Sequence, residues 1–391
     1  MKSLANWKPQ AVGKLNERHI LCVLQALGPM SRAEVARRSG VSPPTASKAV
    51  AALLATGLIE EVAPPEVARG RPAPLLRLAV ERAQVLGVVI DAGSCSVAAA
   101  ALDGTPHPDA SRTFPTPATY PELLAGLRYA CDQLIARPGV TTLAVGVSMP
   151  GLIDDRHGRG VLSPNLHLTD GQTPAIDLAE LLGLDAVLVQ ESRGICLAER
   201  LYGQAGGLKD FAVIDVGVGI GLGVFSNGRP LLGQTGHAGE IGHITVVPDG
   251  GPPCGCGNTG CLETVAADGA FASRVGRKLR RAVGIPEALD LVARSASDFR
   301  AELDETARFL AIGVGAVVNL FNPATVFLQS RVSERDPGFL PALLAATARR
   351  SLPPSLAVCR LLPATGTKPQ GAIAAAIRHL TNAVAHGHDP V

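Results

Sequence analysis

Aromatic residues are scarce in this sequence: one Trp, three Tyr and nine Phe among 391 residues, or 3%. Its strands must therefore be aliphatic, and 43 Gly and 30 Pro point to many turns between them. Charge is also sparse, 18% against 47% hydrophobic, the balance of a folded globular chain long enough to bury a large core. Long apolar runs are missing. The best candidate for a membrane span, FAVIDVGVGIGLGVF at 211–225, is short, carries Asp215 and is broken by glycines. The opening MKSLANWKPQ lacks the apolar core of a secretory signal, so the chain is expected in the cytoplasm, where thiols stay reduced. The length allows two or three domains.

The net charge of +2 is unevenly spread. Residues 1–80 hold 11 basic and 5 acidic side chains, a balance of +6, and the remainder sums to −4. A solvated basic face would account for that as well as a polyanion partner would, and local signals decide. LNERHILCVLQAL places Leu15, Ile20, Val23, Leu24 and Leu27 at helical spacing. GPM breaks it, and SRAEVARRSG follows as a short helix with a capping box, Ser31 and Glu34, and Gly40 at its end. VSPPTASKAVAALLATG begins a third helix with Ser42 as N-cap, Pro43 at N1 and Gly57 as the stop. Its buried stripe would be Ala46, Val50, Leu53 and Leu54, leaving Thr45, Ser47 and Lys48 outside. LIEEVAPPEVARGRPAPLLRLAV then reads as two strands joined by a tip that offers Arg69 and Arg71 to phosphates or to the minor groove. Residues 1–80 are thus expected to form a winged helix-turn-helix that binds double-stranded operator DNA.

The rest reads as an α/β body, expected over 81–391. VVIDAGSCSVAAAALDG (88–104) aligns without a gap on AVIDVGVGIGLGVFSNG (212–228), pairing Ile90, Asp91, Gly93 and Gly104 with Ile214, Asp215, Gly217 and Gly228. Each copy predicts strand, Asp-x-Gly turn, strand. Apolar runs such as LAVGVSMPG, DAVLVQES and ATVFLQS alternate with helical stretches. Two such lobes resemble the actin-like (ribonuclease H-like) sugar-kinase fold, with lobe one over about 81–190 plus the C-terminal helix and lobe two over about 191–365.

One histidine and three cysteines lie within residues 243–261, in HITVVPDGGPPCGCGNTGC. A disulfide, a redox site, a metal site or coincidence could each explain them, and a reducing compartment argues against the disulfide. The spacing His243-x10-Cys254-x-Cys256-x4-Cys261, with three thiolates and one imidazole, suits a tetrahedral structural zinc. His237 is off this spacing and is read as structural or solvent-facing. Cys22, Cys95, Cys131, Cys196 and Cys359 read as ordinary core cysteines. The final HGHDP reads as a frayed tail.

GHAGEIGHITVVPDGGPPCGCGNTGCLE resembles the signature of the ROK family of repressors and sugar kinases, and PNL at 164–166, the doubled hairpin and the winged helix-turn-helix extend the resemblance over the whole chain. The resemblance implies zinc on His243, Cys254, Cys256 and Cys261. It also implies sugar-hydroxyl contacts from Asn165, Glu240, His243 and Glu263. In the family's kinases an Asp in an Asn-Asp pair serves as base; here the strand ends in Gln190-Glu191, one methylene longer at each side chain, which adds these two to the pocket and makes Glu191 a degenerate base. The phosphate cradles depart too, with Ala92-Gly93-Ser94, Gly217-Val218-Gly219 and Gln329-Ser330 where the kinases have Gly-Gly-Thr, Gly-Thr-Gly and Gly-Gly. No catalytic residue is therefore assigned, ATP is not expected as a cofactor, and a sugar-controlled transcriptional repressor pairing as a homodimer or a dimer of dimers is expected. The alternatives are an ATP-dependent sugar kinase carrying a DNA-binding module, and a regulator whose body senses a protein partner.

Overall fold

A computed structural model of the chain describes residues 9–63 and 74–386. The head comprises helices α1 (Pro9–Leu27), α2 (Arg32–Ser39) and α3 (Pro43–Ala55) and strands β1 (Met30–Ser31), β2 (Ile59–Val62) and β3 (Leu75–Leu78), in sheet order β1-β3-β2. Ile59 pairs with Leu78 in the antiparallel wing, a winged helix-turn-helix. Its caps follow local rules. Ser31 Oγ accepts from the Glu34 N–H at 3.3 Å, Ser42 Oγ accepts from the Thr45 N–H at 3.4 Å, and Gly40 at φ +67° ends α2. The reciprocal half of the expected capping box is missing, because Arg37 and Arg38 hold the Glu34 carboxylate. α3 buries Ala46, Ala49, Val50 and Leu53, whereas Leu54 is only half-buried.

On α1 the buried apolar residues, among those described, are Ile20, Leu21 and Leu24; Leu15 and Leu27, expected inside, are exposed, and Val23 is half-buried. Leu15 lies about 140° around the helix from Ile20 at about 100° per residue, and Leu27 is the terminal residue. Cys22 is likewise exposed, about 200° from Ile20. Cys359 is half-buried beside an edge strand; Cys95, Cys131 and Cys196 are in the core as expected.

The body holds two five-stranded sheets of matching topology. The first contains β4 (Ala83–Ile90), β5 (Ser94–Ala101), β6 (Pro106–Pro115) and β7 (Thr141–Met149); after a small hairpin, β8 (Leu152–Asp154) with β9 (Arg159–Leu162), β10 (Asp185–Gln190) completes it in the order β10-β7-β4-β5-β6. The second contains β11 (Phe211–Val216), β12 (Ile220–Ser226), β13 (Arg229–Pro230), β14 (Thr325–Ser330) and β15 (Arg360–Pro363), in the order β13-β12-β11-β14-β15. In each, the duplicated hairpin (β4–β5, β11–β12) is antiparallel and the later strands add in parallel. Every residue of β4 and of β11 is buried, which requires layers on both faces and explains their continuous apolar runs.

Helices α4 (Tyr120–Ile135) and α5 (Pro174–Leu182) cover one face of the first sheet, and the long helix Arg300–Phe321 fills the core of the second lobe. The C-terminal helix, Lys368–His386, lies on β4 and β7. It comes so close that a Cβ on Gly146 would sit 1.9 Å from the Ala372 carbonyl oxygen. On its other side it meets α1. Ile20, Leu21 and Leu24 of the head share one hydrophobic cluster with Val85, Ala100, Ala144, Ile373 and Ile377 of the body. Among the described residues no helix is long and apolar enough to cross a membrane.

Candidate functional site

The two sheets face each other across a cleft of about 620 Å³, lined by all six residues assigned to a sugar: Asn165, Gln190, Glu191, Glu240, His243 and Glu263. The backbone explains how two of them arrive there. A Cβ on Gly239, at φ +106°, would lie 2.1 Å from the Leu222 carbonyl oxygen, and one on Gly242 would lie 2.2 Å from that of Ile220. Without side chains at these positions the loop presses onto β12, and the short turn Ile241–His243 presents Glu240 and His243 to the cleft. Gln190 ends β10 and caps α6 (Glu191–Leu201), its Oε1 accepting from the Arg193 N–H at 3.0 Å. Ser163, unremarked in the sequence though it sits just before the PNL motif, lines the same cleft with a buried hydroxyl that has no partner among the described residues.

The knuckle residues converge as their spacing implied. The ligand atoms of His243, Cys254, Cys256 and Cys261 all lie within 4.8 Å of one another. Cys256 Sγ and Cys261 Sγ are 3.8 Å apart, and His243 Nδ1 is 3.6 Å from Cys254 Sγ. Zinc bonds of about 2.3 Å to sulfur and about 2.05 Å to nitrogen give tetrahedral edges of about 3.8 and 3.6 Å. The donor set therefore fits zinc. Nδ1 of His243 faces the thiols while Nε2 lies toward Glu240, 3.9 Å from its Oε2. His237 stays out of the cluster, its Nδ1 at 3.1 Å from Thr235 Oγ1.

At the centre of the cleft stands a residue that sequence reasoning missed. Lys368 opens the C-terminal helix, and its Nζ donates to Asp91 Oδ2 at 2.5 Å and contacts Glu191 Oε1. Burial, reinforced by the charge of Asp215, raises the Glu191 carboxyl to about 8 despite Lys368; burial likewise raises Asp215 to about 6. Burial opposes the Lys368 charge, but Glu191, Asp215 and Asp91 together hold its pKa above the ordinary lysine value. No local pattern marks Lys368, which meets Asp91 across 277 positions.

Beyond Asp91 and Asp215 the cleft opens into a second space lined by Gly93, Ser94, Val218, Gln329, Arg331 and Lys368. Val218 stands exposed there without a hydroxyl. Ser330 is buried, its Oγ accepting from the Ser333 N–H at 3.4 Å to cap the next short helix.

On the head, Ser47 and Lys48 are exposed on α3, and Lys48 makes no ion pair among the described residues. Thr45 is half-buried, with its hydroxyl 2.8 Å from Ser42 Oγ. Arg69 and Arg71 lie outside the described residues.

Two sheets of identical strand order, each opened by an Asp-Gly hairpin and facing across a cleft, define the two-lobed actin-like sugar-kinase fold, here carrying a winged helix-turn-helix. Residues 87–381 match the ROK family, and the chain belongs to it. Residues 14–70 match the MarR family. The DNA-binding transcriptional dual regulator NagC of Escherichia coli is 29% identical over 346 residues, covering 85% of this chain and 84% of its own. The xylose repressor of Bacillus spizizenii is 24% identical over 356 residues, covering 90% and 92%. Among solved structures, a ROK family transcriptional regulator homologous to the E. coli MLC protein superposes with a TM-score of 0.82 at 23% identity, covering 96% of this chain and 98% of that one. ROK sugar kinases are also similar: the hexokinase from Thermus thermophilus reaches a TM-score of 0.63 at 27% identity, over 76% of this chain and 99% of its own.

Proposed function

We propose that the chain is a cytoplasmic transcriptional repressor controlled by a sugar or sugar derivative. Residues 1–80 bind operator DNA, and residues 81–391 sense the effector. The observation that carries this reading is the single core running from α1 into β4, β5, β7 and the C-terminal helix, which seats the head on lobe one. The cleft, in contrast, opens between lobe one, residues 81–190 with the C-terminal helix, and lobe two, residues 191–365. A ligand that closes the cleft rotates lobe two against lobe one and shifts the heads of a homodimer, or a dimer of dimers, out of register with their half-sites. In the head, Lys48, Arg69 and Arg71 supply phosphate or groove contacts, and Thr45 and Ser47 meet base edges or backbone.

In the cleft, Asn165, Gln190, Glu191, Glu240, His243 and Glu263 take the sugar hydroxyls. His243, Cys254, Cys256 and Cys261 hold a structural zinc, which when bound fixes the His243 tautomer and leaves Nε2 for the ligand. Phosphotransfer is lost. Glu191 keeps its proton near neutral pH and is engaged by Lys368, so it is a poor general base, and Val218 offers no hydroxyl to a phosphate. ADP release across a panel of sugars, with Glu191→Gln as control, checks this; turnover that depends on Glu191 contradicts it.

Sugar control is tested with Glu240→Ala. The variant should bind operator DNA like wild type but no longer release it when sugar is added. A variant that responds normally overturns the assignment of the cleft.

A further inference from the structure

A further cavity lies away from the sugar cleft, where the head, lobe one and lobe two meet. This groove of about 1330 Å³ is bounded by α1, α6, the β12–β13 turn and the C-terminal helix. Four arginines line it, Arg18, Arg200, Arg229 and Arg378, and no carboxylate does so among the described residues. None of the four forms an ion pair among those residues. Arg200 donates to the Leu208 carbonyl at 2.5 Å and lies over the Phe225 ring, 5.3 Å from its centroid. Gln25 adds a buried amide nitrogen with no partner among the described residues. Burial, with the charges of Arg18, Arg200 and Arg193, pushes Arg378 below the ordinary arginine value.

Such an arrangement is costly for the protein alone. An arginine cannot relieve like-charge repulsion by losing its proton, because its intrinsic pKa is too high. The repulsion of Arg378 by Arg18 and Arg200 is relieved by an anion, and the planar fork of arginine matches phosphate oxygens in a bidentate way. Leu197, Leu201, Phe225 and Leu232 give the wall an apolar portion that suits the carbon frame of a small molecule.

We infer that this groove binds a small phosphorylated metabolite at a site distinct from the sugar cleft. Arg18 belongs to α1 of the head, Arg378 to the helix seated on lobe one, and Arg229 to the hairpin of lobe two. One phosphate held by all three ties the head to both lobes and adds a second input to the angle that the sugar sets. That regulatory consequence rests on the repressor reading; the binding itself does not.

The test is isothermal titration of the full-length, zinc-loaded protein with sodium pyrophosphate, against sodium chloride at matched ionic strength. Saturable binding, weakened at least tenfold by Arg378→Gln and by Arg18→Gln, is expected. Arg229→Ser, at an exposed position, keeps the test valid where Arg378→Gln does not fold. Heats no larger than those of chloride, or binding that persists in all three variants, overturn the proposal without touching the repressor reading.

Discussion

Replacing Lys368 with Met removes the one ammonium that, among the described residues, faces Asp91, Glu191 and Asp215. Methionine keeps most of the apolar stem, so the loss is electrostatic. At an effective dielectric of about 20, the 2.5 Å contact with Asp91 is worth on the order of 7 kcal/mol before desolvation is subtracted. Breaking a buried pair by deleting one partner costs about 3–5 kcal/mol. Both side chains here remain 28% exposed, which favours the lower end, about 3 kcal/mol. In a chain of this size that corresponds to a fall in midpoint on the order of 5 °C. The deficit should depend on pH: without the ammonium the three carboxylates repel, and taking up a proton relieves them, so it should shrink from about pH 8.5 to about pH 5.5. Thermal unfolding of the full chain, followed by circular dichroism at both pH values, measures this. A variant as stable as wild type at the higher pH, or a deficit independent of pH, refutes the assignment of Lys368 as the internal counter-cation.

Other consequences can be checked on the same protein. The Glu191 carboxyl, raised to about 8 from an ordinary 4.5, contributes stability that is fully present below the lower value and lost as pH rises through the upper one. Glu191→Gln should therefore flatten the fall in melting temperature between about pH 6 and pH 9; an unchanged slope would place that titration elsewhere. Cys254→Ser should lower the zinc content measured by elemental analysis from one per chain and abolish thermal protection by sugar, whereas wild type that carries no zinc and still responds would count against the knuckle. Lys48→Ala should weaken operator binding uniformly across sequences and reduce the slope of log affinity against log salt by about one. An unchanged slope would remove Lys48 from the phosphate contacts.

What could be read in the sequence followed short-range rules. The caps at Ser31 and Ser42 and the wing pairing depend on a few neighbouring residues, and the duplicated hairpin shows itself because two copies share their period of alternation and turn. The knuckle was legible because a tetrahedral donor set calls for a recognisable ligand spacing. Features decided by distant partners were not. Whether Leu15, Leu27 or Cys22 is covered depends on where α1 meets the C-terminal helix, which no local pattern records. The Glu34 carboxylate could have closed the capping box, but two arginines on the next turn outcompeted the Ser31 backbone N–H. Lys368 and the arginine groove are assembled from segments hundreds of positions apart, so their charges become meaningful only in three dimensions.

A ligand in the cleft is expected to govern DNA occupancy by the head. The direct measurement is a footprint on genomic fragments selected for binding to the zinc-loaded protein, with and without a mixed pool of sugars. The expected result is a protected pseudo-palindrome that disappears when the pool contains the cognate sugar and persists in Glu240→Ala. A folded, zinc-loaded protein that enriches no fragment, or a footprint indifferent to every sugar, contradicts it.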